Sequence, residues 1–314
     1  MAPRDTKFKL NTGAEIPAIG FGTWQDPQAQ EKAVLTALEA GFRHIDTAAV
    51  YETEEAVGSA IKKSGIPRSQ LFITTKLWNS KHHPDDVESA LNDSLRKLGV
   101  DYVDLYLMHW PVAFARGEEL FPQDEQGKPR IEKVGYVETY EAMEKVYKSG
   151  KTKAIGISNF SRSELQDLLH KTSVVPAVHQ LELHPWLQQR EFVDFMKSKG
   201  IHVTQYSSLG NQNEVYTGRE KLGRLIEDPV LVKVGEKYGK SGAQVALAWG
   251  IASGHSVLVK SKTPKRIREN FESDFELKPE DVQTINGIDK KARFNDSSEE
   301  FGYDFFMGLD GKTK

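Results

Sequence analysis

Three ionisable side chains stand at the ends of apolar runs that do not call for them: Asp46 in FRHIDTA, Lys76 in LFITTKLW and His109 in LYLMHWP. Asp and Lys are rarely buried unless paired, so charges placed there are expected to face one another. Tyr51 follows Asp46 closely and can join them. A phenol with an ordinary pKa of about 10 keeps its proton at neutral pH and can donate it, and a nearby ammonium would lower that pKa and ease the transfer. Lys76 would supply the ammonium, Asp46 would hold Lys76, and His109 would orient a carbonyl oxygen and discriminate among substrates. An oxygen polarised by Tyr51 and His109 invites attack at its carbon. With no cysteine, no plausible metal set and no Ser nucleophile elbow, the attacker is most simply a hydride, and a hydride needs a cofactor. Taken singly, each residue also has a structural reading: Asp46 as an ion-pair partner, Lys76 as an edge residue reaching solvent, His109 as a hydrogen-bonded core histidine. The combination points to chemistry more strongly than its members do.

These residues need a scaffold that brings strand ends together. Short apolar or β-branched runs recur at 16–21, 43–47, 71–76, 104–109, 154–158, 177–181, 202–206 and 256–259. Between them, 30–40, 55–63, 85–98, 136–149, 162–169, 190–199 and 229–252 carry apolar residues at helical spacing. Helix signals accompany many of these: Pro84 before Asp85 and Asp86, Ser161 with Glu164 as a capping box, and Gly41, Gly99, Gly150 and Gly200 near helix ends. Alternating β and α units favour a parallel sheet with right-handed crossovers, and eight of them in a chain of 314 residues suit a closed (β/α)8 barrel. An open doubly wound sheet is the alternative. Residues 8–16, turning at Asn11-Thr12-Gly13, read as a β-hairpin capping one end. No linker or composition shift divides the chain, so 1–314 reads as one domain.

The charge balance narrows the partners. Lys and Arg number 42 against 45 Asp and Glu, a net charge of −3, which leaves no electrostatic footprint for nucleic acid or an anionic membrane. The absence of cysteine removes disulfides, thiolate metal sites and thiol nucleophiles together. The first thirteen residues are too polar for a signal-peptide core, and no run of about 18 apolar residues suggests a membrane span. The expected setting is the cytoplasm. His82-His83 and His179/His184 are the nearest approach to a metal site, but the first pair lies at a Pro-Asp helix start and the second lacks a carboxylate-rich ligand set, so no metal is expected.

Four separated stretches carry a family likeness: GFRHIDTAAVYETEEAVG at 41–58, VDLYLMHWP at 103–111, KAIGISNF at 153–160 and VLVKSKTPKRIRENF at 257–271. In that order, and with GFGTW at 20–24, they resemble the aldo-keto reductases over nearly the whole chain. The resemblance implies a TIM barrel with an N-terminal hairpin, a long C-terminal loop, and a catalytic tetrad of Asp46, Tyr51, Lys76 and His109. It implies a substrate pocket lined by Trp24, Trp110 and the loop after Pro111, with Tyr51 and His109 at its base. It also implies that Ser158, Asn159 and Gln180 hold a nicotinamide carboxamide while Tyr206 stacks on the ring. Lys260, Ser261, Thr263 and Arg266 would grip an adenosine 2′-phosphate, pointing to NADPH/NADP+, with Glu269 and Asn270 at the adenine. Cations and hydroxyls there also precede a helix that Pro264 can open, and such a helix start favours an anion.

Two departures stand out. A Ser occupies a common Pro position in the segment 207–210 that resembles the family's pyrophosphate cover, so only Ser207 and Leu209 are carried over there; Val259 likewise replaces a Pro before Lys260. Two decoys are set aside. Gly235 to Ser241 is one residue short of a phosphate loop and sits in a helical pattern, and Tyr147 with Lys151 lacks the Gly-rich turn that a short-chain dehydrogenase would carry. The resulting expectation is an NADPH-dependent reductase of small aldehydes and ketones, binding cofactor before substrate and reversible toward alcohols. Glyceraldehyde or glycerol is the first substrate class and an aldopentose such as xylose the second. A regulatory subunit that binds the nucleotide without turnover is the rival of another class. A monomer or dimer is expected. The aromatic tail 294–314 would either close the mouth or pack on the outer helices.

Overall fold

A computed structural model describes residues 4–212 and 222–312. The chain opens with an antiparallel hairpin of β1 (Lys7–Lys9) and β2 (Glu15–Pro17), then runs through β3 (Ile19–Gly22), α1 (Pro27–Ala40), β4 (His44–Asp46), α2 (Glu54–Ser64), β5 (Phe72–Leu77), α3 (Val87–Leu98) and β6 (Leu105–Met108). Next come α4 (Tyr136–Lys148), β7 (Ile155–Ser158), α5 (Arg162–Lys171), β8 (Val178–Glu182), α6 (Arg190–Ser198), β9 (His202–Tyr206), α7 (Pro229–Tyr238), α8 (Gly242–Ala252), β10 (Ser256–Val259), α9 (Pro264–Phe271), α10 (Pro279–Asn286) and α11 (Ser298–Phe301). Strands β3 to β10 pair in parallel and close, with β10 beside β3. The expected TIM barrel is the observed one, and the open sheet is excluded.

The main apolar layer lies between barrel and helices, where Val34, Leu38, Val57, Leu91, Tyr140, Leu165 and Ile267 pack on Ile45, Ile73, Met108 and Ile157. A second cluster fills the N-terminal end. Leu10 and Ile16 of the hairpin meet Phe72, Leu105, Ala154 and Val178 at the starts of their strands, so the hairpin plugs the face opposite the strand tips. Close strand contact explains one motif glycine: a Cβ on Gly156 would lie 2.3 Å from the Val178 carbonyl oxygen.

Local signals place most of the helix ends. Ser161 and Glu164 form the reciprocal capping box of α5, and the glycines at 41, 99, 150 and 200 all have positive φ. Two sequence readings change. The run 16–21 divides, because residues 15–17 belong to the hairpin and the barrel strand starts at Ile19. The single helical pattern over 229–252 is two helices. Gly239, at φ 63°, closes α7 in a conformation that a β-carbon resists, and Ser241 restarts the chain by capping α8 through the Gln244 amide. The phosphate-loop decoy therefore lies across a helix–helix junction, still not after a strand.

Candidate active site

Asp46 ends β4, Lys76 lies near the end of β5, and His109 follows β6, so all three reach the C-terminal face, where TIM barrels place their chemistry. Tyr51 closes a short 3₁₀ turn, Ala49–Tyr51, directly after β4. The Lys76 ammonium is fully buried and donates to Asp46 Oδ1 at 2.6 Å, to the Thr47 carbonyl at 3.0 Å and to the Tyr51 hydroxyl oxygen at 3.4 Å. An ammonium has three protons, and these three acceptors account for them. Because the Tyr51 oxygen accepts from Lys76, its own proton is left to point elsewhere. Asp46 is fixed from its other side by Gln180, whose amide donates to Oδ2 at 2.7 Å.

The electrostatics differ from the sequence expectation in one respect. Burial raises the Tyr51 pKa and outweighs the lowering by Lys76, while Asp46 adds to the rise, so the net direction is up. The phenol is thus held in its protonated, donating form, and the role of Lys76 is to bind the oxygen. For Lys76 itself burial works against the charge, yet Asp46 and Tyr51 carry the balance upward and keep it cationic. His109 is held well below its usual value by burial first and by the Lys76 charge after it, so it stays neutral near pH 7. Its ring meets Tyr51 edge to face at 5.6 Å and Trp78 at 5.4 Å. A neutral imidazole beside a protonated phenol offers two hydrogen-bond donors to one carbonyl oxygen.

The aromatic tail settles on the mouth rather than on the outer helices. Phe301, Phe305 and Phe306 pack with Trp78, Trp110, Val112 and Phe114, and Phe305 lies 4.6 Å from Trp110. Phe114, Phe121, Pro129 and Phe301 help to line a cleft of about 170 Å³, one indole away from His109. Trp24 stands on the loop after β3, partly exposed. Sequence reasoning missed Trp78 as a wall of the site, although it lies inside the quoted LFITTKLW. It also missed Glu182, a fully buried carboxylate at the end of β8. Glu182 accepts from the Phe294 and Asn295 amides at 2.8 Å each and from His184 Nε2 at 3.1 Å, tying the tail to the barrel. Burial opposes this charge, but His184, Arg293 and the amide bonds win and lower its pKa.

Residues expected to hold a dinucleotide ring the same face. Ser158 ends β7 and Asn159 follows it with φ 64°, while Gln180 sits mid-strand in β8, two residues before its end. The Asn159 amide donates to the His109 carbonyl at 3.0 Å and to Ser158 Oγ at 3.1 Å, and its oxygen accepts from the Tyr206 hydroxyl at 2.7 Å. Ser207 accepts from Asn295 of the tail at 3.2 Å, and Leu209 packs between two apolar clusters. After the neighbouring strand β10, Lys260 and Ser261 lead into α9, whose N-cap Thr263 makes no side-chain cap bond. Ser261 Oγ instead accepts from the Thr263 amide, and Arg266 is exposed. Glu269 accepts through its main chain from Gln244, and Asn270 is buried. Paired amides, an aromatic face and a cationic helix start suit a ligand that carries an amide, a flat ring and a phosphate. Among the described residues no group of three or more His, Cys, Asp or Glu stands together as a metal site, and no helix is long and apolar enough to cross a membrane.

Comparison with known proteins agrees with this picture. A family model described as the aldo/keto reductase family matches residues 18–290. The chain is 45% identical over 292 residues to aldo-keto reductase family 1 member A1 of Xenopus tropicalis, covering 91% of this chain and 89% of that one. It is 44% identical over 295 residues to the glycerol 2-dehydrogenase (NADP(+)) of Saccharomyces cerevisiae, covering 90% and 91%. The solved aldose reductase of Schistosoma japonicum superposes with a TM-score of 0.88 at 35% identity, covering 95% and 97%. Matched so nearly end to end, with its charged strand tips gathered at one mouth, the chain belongs to the aldo/keto reductase family and is an oxidoreductase.

Proposed function

We propose that this protein reduces small aldehydes and ketones to alcohols with NADPH, and runs the reverse oxidation with NADP+. The observation that carries the proposal is the Tyr51 hydroxyl accepting from a fully buried Lys76 beside a neutral His109. In this reading the substrate oxygen sits between Tyr51 and His109, and Tyr51 gives it a proton as charge develops. Lys76 steadies the phenol oxygen through that transfer, and Asp46 holds Lys76 in register. NADPH, when bound, supplies the hydride. Ser158, Asn159 and Gln180 would hold its carboxamide and Tyr206 would lie against the ring. Ser207 and Leu209 would cover the pyrophosphate, with Lys260, Ser261, Thr263 and Arg266 at the 2′-phosphate and Glu269 and Asn270 at the adenine. Use of NADPH is supported by the cationic start of α9 and by the NADP(+)-dependent yeast relative. That relative makes glycerol, whose oxidation at C2 gives dihydroxyacetone, the first alcohol to try; glyceraldehyde is the first aldehyde to try and xylose the second. Trp24 and Trp110 would contact the substrate.

The test is steady-state oxidation of NADPH and of NADH by the purified protein with glyceraldehyde, xylose and aromatic aldehydes, and reduction of NADP+ with glycerol. Turnover of at least one aldehyde with NADPH favoured is the expected result. Tight NADPH binding without turnover of any carbonyl would overturn the enzymatic reading in favour of a nucleotide-binding regulatory role.

A further inference from the structure

Asp26 lies between β3 and α1, and three features of it do not follow from local structure. As the N-cap of α1 it is a preferred residue type, yet its carboxylate caps no amide of that helix. It precedes Pro27, where an extended backbone is usual, but has φ 53° and ψ 54° in the left-handed region. Gln25 before it is also left-handed, at φ 68°, so two successive non-glycine residues adopt a conformation that sterics disfavour. Such backbone persists only where the surroundings enforce it. In this conformation the Gln25 carbonyl accepts from the Gln30 side-chain amide, and the Asp26 carboxylate turns away from α1 and reaches across the barrel seam. The Asp26 carboxylate binds Lys260 through Oδ2 and Lys262 through Oδ1, the latter at 3.1 Å, and these cations flank Ser261 at the approach to α9. Hydrogen bonds from Lys260 and Lys262, with their charge behind them, draw the Asp26 carboxyl below its usual value and keep it ionised.

We infer that Asp26 is an internal rival of the cofactor phosphate: its carboxylate occupies Lys260 in the free protein and must yield that cation when a 2′-phosphate binds. The inference rests on the proposal that Lys260 grips that phosphate. Asp26 is then a specificity-determining residue whose effect runs opposite to that of Lys260. It weakens binding of 2′-phosphorylated nucleotides and leaves nucleotides lacking that group almost unaffected, narrowing the preference that the cationic helix start creates. All three side chains are partly exposed, so the pair is screened and exchangeable rather than locked.

Equilibrium titration of the full chain by calorimetry with 2′,5′-ADP, NADP+ and NAD+ tests this without turnover. Asp26→Asn is expected to tighten 2′,5′-ADP and NADP+ by about two- to fivefold, the range of a partly exposed ion pair, and to leave NAD+ unchanged. In an Asp26→Asn/Lys260→Gln double variant the gain should vanish, because the two act on one contact. If Asp26→Asn leaves or weakens 2′,5′-ADP binding while Lys260→Gln alone weakens it, the role of Asp26 is overturned and the phosphate site stands. If Lys260→Gln binds 2′,5′-ADP as the parent does, the phosphate site itself is misplaced and the inference falls with it. Thermal unfolding of each variant confirms that binding is read on folded protein.

Discussion

One pairing of side chains, aspartate with lysine, occurs at two depths of the barrel. Asp46 and Lys76 lie at the strand tips with side chains 4% and 0% exposed, while Asp26 and Lys260 lie on the rim at 32% and 27%. The inner pair cannot exchange partners with water. Gln180 holds the carboxylate, the Thr47 carbonyl shares the ammonium, and the remaining ammonium proton goes to Tyr51. Little solvent screens it, so it can fix where one proton resides. The outer pair is screened and lightly held, so a ligand anion can take its cation. On the proposed function, depth assigns the same chemistry to different tasks: the inner pair would set the reaction, and the outer pair would adjust affinity.

The largest expected effect falls on the inner pair. Asp46→Asn leaves Lys76 buried without its counter-charge, which should cost about 3–5 kcal/mol of stability. Turnover should fall by about 10²-fold or more as Tyr51 loses its fixed partner. Urea denaturation and steady-state rates measure both, and near-parental values for both would erase the distinction between the two depths. Acid offers the next largest effect. His44, His82, His179 and His202 are held by burial at about 4, 3, 3 and 3, and His109 and His255 also lie well below 6.5. The unfolded chain binds protons at these sites that the folded chain refuses. Their stability contribution is therefore whole above about pH 6.5 and is lost as pH falls below it, by about 1.4 kcal/mol per pH unit for each histidine. Unfolding temperatures should be nearly flat from pH 8 to 7 and drop steeply toward pH 5. A flat profile to pH 5 would mean that the interior is wetter than the structure shows. The smallest effect belongs to the rim, where Asp26→Asn should change only 2′-phosphate affinity, by the few-fold stated above.

The barrel was legible because each strand carries a short apolar run and most helices announce their ends. Asp46 and Lys76 were legible because charges at the tips of buried runs need a partner, and each found the other; His109 stands at the same mouth but stays neutral and meets the Tyr51 ring rather than either charge. What escaped the sequence did so for different reasons. The division of 16–21 depends on a hairpin pairing, whereas the break at Gly239 carried a local signal, a glycine followed by the Ser241–Gln244 capping box, that the apolar run over 229–252 masked. The direction of the Tyr51 shift depends on how burial weighs against a charge, and composition does not measure burial. The seat of the tail on Trp110, the hold of Glu182 on Phe294 and the reach of Asp26 to Lys260 join residues more than a hundred positions apart, so no local pattern records them.

The central claim is that Tyr51, steadied by Lys76, gives up the proton. Its most direct test is the Tyr51→Phe variant, assayed for NADPH binding by quenching of tryptophan fluorescence and for single-turnover reduction of an aldehyde that the parent accepts. The account predicts binding within about twofold of the parent and a rate lower by about 10²- to 10⁴-fold, the usual worth of a general acid. A single-turnover rate equal to the parent's would contradict it.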